Sequence, residues 1–472
     1  MAEPTPFLYG KHRTRFNRLA LAHGVKLDWE NVLNSRHEPG DPYVLTGTCE
    51  VPQVQGPAVT VPVVVKIVPV RKHQGVQREV DMRAMLHKRR GITWAAVPIV
   101  SVLCTPTATT LCMRRASCDL DTALSAEKDI GAAPHAREWL LQVACAMDEM
   151  HAVGAAHRDI KPQNILVRPV PVAVRGGTLQ DELAMLMEDV FEMDIQEDAP
   201  TNVQRWVATP PHVASLCNVR YVACLCDFDF VTRLHKDGKP LALSCMGTHL
   251  YAPPQSWWKN VARRHPNRFF DTWAPCTPPG EQDSVLRAVM DAPYDAAAAD
   301  VWSYGVTLFE AAYDSMPFPM ASPAEVEFAQ FMAAFYPDCM AAPAMCPVAG
   351  GDTQWAPVHH LPPWTWPDGG GECLAMRHLI VQCLHPDPAL RPTAAAIRGH
   401  PWFDTPEWVP PNPAMYALMA PQSPSHTRPA SPLDSPRPRT AWSYDSPQAA
   451  AASPARPVAA ASGGGCARDG SY

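Results

Sequence analysis

Between residues 59 and 70 the chain reads VTVPVVVKIVPV, a β-branched apolar run interrupted by a single lysine, Lys66. Branched side chains pack well on a pleated surface, so the run predicts a buried strand. VQREVDMRAMLHKRR follows, with Val76, Val80 and Ala84 four apart, and predicts an amphipathic helix. AREWLLQVACAMDEMHAVG is apolar at Leu140, Ala144 and Met147 and predicts a second helix that ends near Gly154. ADVWSYGVTLFEAAY is apolar nearly all round and predicts a third, buried one. Strands early and helices late predict an α+β molecule, with a small sheet-bearing lobe ahead of a mainly helical one.

Between these pieces the patterning lapses. Segments at about 169–219, 256–292 and 342–371 read as insertions, the first of them acidic in its middle. Residues 405–472 are rich in Pro, Ser and Ala with few apolar anchors, so they are expected to be disordered. The patterned domain would then run over 41–404, with 1–40 as an N-terminal extension.

Charge and composition narrow the classes. A formal net charge of -7 argues against a nucleic-acid binder that works by bulk charge. No uncharged apolar stretch approaches the ~20 residues that span a bilayer, and the N-terminus lacks the apolar core of a signal peptide. The expectation is an intracellular protein, in cytoplasm or nucleus, without membrane or nucleic-acid partners. Its 15 cysteines show no repeated spacing and read as reduced thiols.

The candidate chemistry begins directly after the second helix, with HRDIKPQNILV. A carboxylate on a tight loop, Asp159, can orient or deprotonate a hydroxyl. An ammonium two residues on, Lys161, can steady a phosphate in transfer. An amide oxygen five residues on, Asn164, can hold a cation. Phosphoryl transfer needs that set, because positioning and charge neutralisation do nearly all of its work. A second acidic site follows the apolar run YVACLC, in the stretch Asp227-Phe228-Asp229.

The sequence resembles the eukaryotic protein-kinase family from about Asp41 to Phe403. The resemblance rests on VVVKIV, HRDIKPQN, DFD, GTHLYAPP, DVWSYG, HPDPALRPT and HPWF, in the family's order. It implies a two-lobed fold with ATP in the cleft. It implies Lys66 on the nucleotide's phosphates, paired with a helix carboxylate, for which Glu79 is chosen over its neighbour Asp81. Asp159 would be the catalytic base, Lys161 the γ-phosphate clamp, and Asn164 with Asp227 the Mg²⁺ ligands. Leu111 to Arg115 resembles the hinge, with Met113 or a neighbour guarding the pocket behind the adenine and Asp119 or Asp121 meeting the ribose. Asp300 would hold the backbone of the catalytic loop. Lys161-Pro162 is similar to the serine/threonine branch, so the implied reaction is transfer to protein hydroxyls. The implied partners are ATP, Mg²⁺ and a protein substrate.

The sequence departs from the family in four places. The expected glycine-rich stretch reads YVLTGTCEV, with Gly47 its only glycine and Val51 the residue expected to cap the base. Ala252-Pro253-Pro254 lacks the glutamate that would pair with Arg391, so that arginine should have found another partner, for which the segment after Pro254 is a candidate. Long inserts separate the motifs. Asp229 stands where the family carries glycine and is expected to be an adapted turn residue or to lie near the second cation. The degenerate loop and Pro254 open a second reading, a binding scaffold with weak or no catalysis, and the Asp-Phe-Asp run a third, a small-molecule kinase. Arg158 is expected to receive a phosphate on Ser244, while the place of Thr248 suits a hydroxyl contact to Asp159 and Lys161.

Overall fold

The computed structural model describes residues 11–33, 42–51, 57–69, 73–90, 95–105, 108–125, 134–173, 191–194, 204–208, 217–232, 241–242, 246–340, 355–356, 363–367 and 373–404. Ser244 and the tail from residue 405 lie outside them. Helix α1 (Lys11–Ala22) and strands β1 (Val25–Val32), β2 (Tyr43–Val51) and β3 (Val59–Pro69) open the fold. Helix α2 (His73–Arg90) and strands β4 (Ile99–Cys104) and β5 (Ala108–Arg114) follow. Among the described residues the resulting sheet has seven strands in the order β1-β2-β3-β5-β4-β9-β8. Its last two members, β8 (Phe191–Asp194) and β9 (Gln204–Ala208), come from the acidic insertion, and β9 pairs with the edge of β4 at Ser101 and Val102.

The period of two along β3 decides what reaches the cleft. Val63, Val65 and Ile67 face one way, into a core with Phe16, Leu45 and Cys112. Val64, Lys66 and Val68 face the other way, and Val64 and Lys66 line the cleft. A one-residue slip would send the lysine into the apolar layer. Helix α2 packs against this second face through Val76 and Val80 and reaches the main core through Met82 and Leu86.

The second lobe is helical. Helix α4 (Pro134–Ala152) leads into the loop 157–164, and β7 (Ile165–Ala173) then pairs antiparallel with β10 (Cys217–Leu225). These two strands and β6 (Cys118–Asp119) form a three-stranded sheet under the cleft. Helix α8 (Ala296–Tyr313) is buried on nearly every side, as its all-round apolar sequence predicts. Two of the segments read as insertions contribute to this core. Helices α5 (Pro254–Arg264), α6 (Pro266–Trp273) and α7 (Gln282–Asp291) bury Trp258, Phe269, Trp273 and Val289. Trp364 and Trp366 pack on Phe309. Strand β1 is likewise integral to the sheet, so the folded domain begins well before residue 41.

Candidate active site

The cleft between the lobes is walled by apolar side chains, among them Leu33, Val44, Val64, Met113 and Leu166. At its inner end Lys66 meets three carboxylates. Its Nζ lies 2.7 Å from Asp227 Oδ1, 3.1 Å from Asp229 Oδ1 and 3.5 Å from Glu79 Oε2. Burial pushes the Glu79 carboxyl up to about 7, against the pull of Lys66, and burial likewise raises Asp229. Asp81, the rival to Glu79, is instead bound by Gln77 Nε2 at 2.8 Å on the outer face of α2. Arg83, one turn beyond Glu79, is buried and donates to the carbonyl of Ala96.

The floor of the cleft is a second polar cluster. Asn164 Nδ2 donates to Asp159 Oδ2 at 2.8 Å and to its carbonyl at 2.9 Å. Lys161 Nζ lies 3.2 Å from Asp159 Oδ2 and donates to Thr248 Oγ1 at 2.6 Å. The Thr248 N–H donates to Asp159 Oδ1 at 2.7 Å. Asp300, fully buried at the start of α8, accepts the backbone N–H groups of His157 and Arg158, both at 2.7 Å. That grip holds Arg158 at φ 68°, a left-handed conformation that a long side chain adopts only when its surroundings impose it. Arg158 Nε donates to the Phe230 carbonyl at 2.7 Å, which ties the loop to the Asp227 segment.

Gly247 completes the floor. It sits at φ 92°, and a Cβ there would lie 2.1 Å from the carbonyl oxygen of Arg158. The segment carrying Thr248 reaches Asp159 only because this position has no side chain.

Several expected residues are placed elsewhere. Gly47 lies in mid-strand, paired with Leu27 on β1 and Val63 on β3, and does not line the cleft. Val51 pairs with Val59 at the far end of the β2–β3 hairpin. The β2 residue that lines the cleft is Val44, opposite Lys66, and Leu33 joins it from the end of β1. Strand β1 ends at Val32 and β2 begins at Tyr43, and the stretch after Leu33 that joins them in sequence, NSRHEPGDP, has Gly40 as its one glycine. Asp119 does not line the cleft. It caps helix α3 (Leu120–Leu124), its Oδ1 accepting the Thr122 N–H at 2.8 Å, while Ser117 and Cys118 take the cleft wall. Met113 lines the cleft from β5, opposite Val64.

Arg391 is buried and has found its partners. Its Nη2 donates to Gln255 Oε1 at 2.8 Å, and its other donors reach the carbonyls of Ala298 and His385 at 2.9 and 2.7 Å. Gln255 directly follows Pro254, so an amide stands in for the missing carboxylate.

The donor set under Lys66 suits a hard cation. Asp227 and Asn164 both line the cleft, and the Asn164 N–H group is taken up by Asp159, so its amide oxygen is the atom that a cation there would take. A lysine between lobes, an aspartate on a loop below it and two oxygen ligands beside them define a phosphotransferase cleft of the two-lobed kind. The family model of the protein kinase domain matches residues 51–174 and 286–403, about half of the chain, and the chain belongs to that family. It is similar to "Protein kinase PINOID" of Oryza sativa subsp. japonica, 23% identical over 286 residues, a match that covers 57% of this chain and 44% of that protein. No helix among the described residues is long and apolar enough to cross a membrane.

Proposed function

We propose that this chain is an ATP- and Mg²⁺-dependent protein kinase that transfers the γ-phosphate to serine or threonine hydroxyls. The observation that carries this reading is the convergence of two polar clusters on one cleft. Lys66 and Glu79 come from above, and Asp159, Lys161, Asn164 and Asp227 from below. A bound Mg²⁺ neutralises phosphate charge, and Asp227 and Asn164 would hold it. Lys66 binds nucleotide phosphates at the inner end. Asp159 accepts the proton of the acceptor hydroxyl, and Lys161 steadies the phosphate beside it. Thr248, bonded to both Asp159 and Lys161, keeps their separation at 3.2 Å. The choice of serine or threonine over tyrosine rests on Lys161-Pro162.

A binding scaffold is the second reading. It is favoured by the single glycine in the β1–β2 connection, since glycines let backbone N–H groups approach phosphate closely. The deciding experiment incubates purified protein with labelled ATP, Mg²⁺ and generic acceptor proteins. Wild type is expected to label serine or threonine, and Asp159→Asn to lose on the order of 10²–10⁴ in rate, the usual worth of a general base. Wild type that labels neither itself nor any acceptor at high ATP makes the scaffold reading the right one.

A further inference from the structure

Asp229 has no place in the proposed reaction, yet it is one of the most engaged residues of the cleft. Its conformation does not explain it. Among described non-glycine residues only Arg158, Asp227 and Asp314 have positive φ, so the left-handed residue of the Asp-Phe-Asp run is Asp227. Asp229 meets no backbone demand that glycine would meet better. The expectation of an adapted turn residue therefore fails on geometry.

Its groups are spent on the other lobe. Asp229 Oδ1 lies 3.1 Å from Lys66 Nζ and is closed off from solvent, where an ion pair is little screened. Its backbone carbonyl accepts from Arg78 Nη1 on α2 at 2.8 Å. The first turn of α2 gives way to it. A Cβ on Gly75 would lie 2.8 Å from Asp229 Oδ1 and 3.1 Å from its Cγ, so a side chain there would have to push the carboxylate off its place beside Lys66. Glycine is a poor helix residue, so its place in this turn calls for such a reason.

We propose that Asp229 is a positioning residue that latches α2 to the Asp227 segment and holds Lys66 in the cleft, and that Gly75 is its steric counterpart. The latch matters when the site fills. Asp227 then serves the cation and the lysine serves phosphate, leaving Glu79 and Asp229 as the lysine's anchors. This role rests on the kinase reading for its purpose, but the latch itself is readable without catalysis.

The test is amide hydrogen exchange of the nucleotide-free full chain, in wild type, Asp229→Gly, Gly75→Ala and the double variant, with Mg²⁺-ATP affinity measured alongside. Loss of a charge-assisted contact should raise exchange across residues 73–90 by about ten- to a hundredfold in Asp229→Gly. Gly75→Ala should do the same alone. In the Asp229→Gly background it should add less than about twofold, because the carboxylate it meets is gone. Mg²⁺-ATP affinity should fall with the exchange effect. Unchanged α2 exchange in Asp229→Gly overturns the proposal, as does an equal effect of Gly75→Ala in both backgrounds. If Asp229→Gly does not fold, Asp229→Asn keeps the shape, removes the charge and decides by the same readout. A wild type that transfers no phosphate sinks the kinase reading while leaving this exchange comparison intact.

Discussion

Two buried cations in this protein are satisfied in opposite ways. Lys66 has three carboxylates within 3.5 Å, more negative charge than it can balance. Arg391 is equally buried and is bound by an amide and by carbonyls, the Gln255 oxygen among them. Burial holds the Arg391 guanidinium down to about 9, which is still high enough to stay charged at neutral pH. The excess of acid around Lys66 is what the proposed reaction would require of a site that admits Mg²⁺ and a phosphate chain. The neutral cage around Arg391 suits a joint that never changes partners. A third base, His400, follows neither course: it stacks on His378 and is kept neutral, burial and the His378 charge pushing it down to about 4.

The largest effect should come from the over-supplied cation. Lys66→Met leaves the carboxylates facing each other and the phosphates without their donor, so phosphoryl transfer should fall by about 10²–10³. A loss under tenfold would show that the acidic excess does not serve the nucleotide. The neutral base comes next. His400 titrates near 6.5 when unfolded and near 4 when folded, so the unfolded chain takes up the proton first as pH falls. Stability is therefore complete above about 6.5 and should drop by roughly 3 kcal/mol towards pH 4. His400→Phe, measured by denaturant midpoint, should flatten that part of the curve. The smallest effect belongs to the amide cage. Gln255→Ala removes one acceptor from Arg391 and one donor from the Pro386 carbonyl, at about 1–3 kcal/mol. Gln255→Glu should lie closer to wild type than Gln255→Ala. If it proves the worse of the two, the joint depends on neutrality rather than on filled hydrogen bonds.

Much of this could be read from the chain because its signals are local. The β-branched run around Lys66 has the composition of a buried strand, and HRDIKPQN packs its loop chemistry into eight residues. The neutral partner of Arg391 lies where the missing glutamate directs attention, one residue past Pro254. What misled was reasoning by residue type without register. Gly47 drew the phosphate loop onto β2 because it is the glycine of that stretch. Strand β1, at one edge of the sheet, reads VKLDWENV, and its apolar–charged alternation is the strand signal that the lone glycine on β2 outweighed. Asp119 illustrates another ambiguity, since an aspartate ahead of a helix reads equally as a cap and as a ligand. The contact of Asp229 with Lys66 and Gly75 joins residues far apart in sequence, and no local pattern announces it.

The meeting of Gly247 with the Arg158 carbonyl also sets how freely this segment can drift. Every other amino acid carries the carbon that would lie 2.1 Å from that oxygen, so the position has one admissible letter. Its neighbour Met246, 37% exposed, has room for many. Among descendants of this gene, adjacent codons would therefore carry very different histories: one held still by a backbone atom on another loop, the next free to wander.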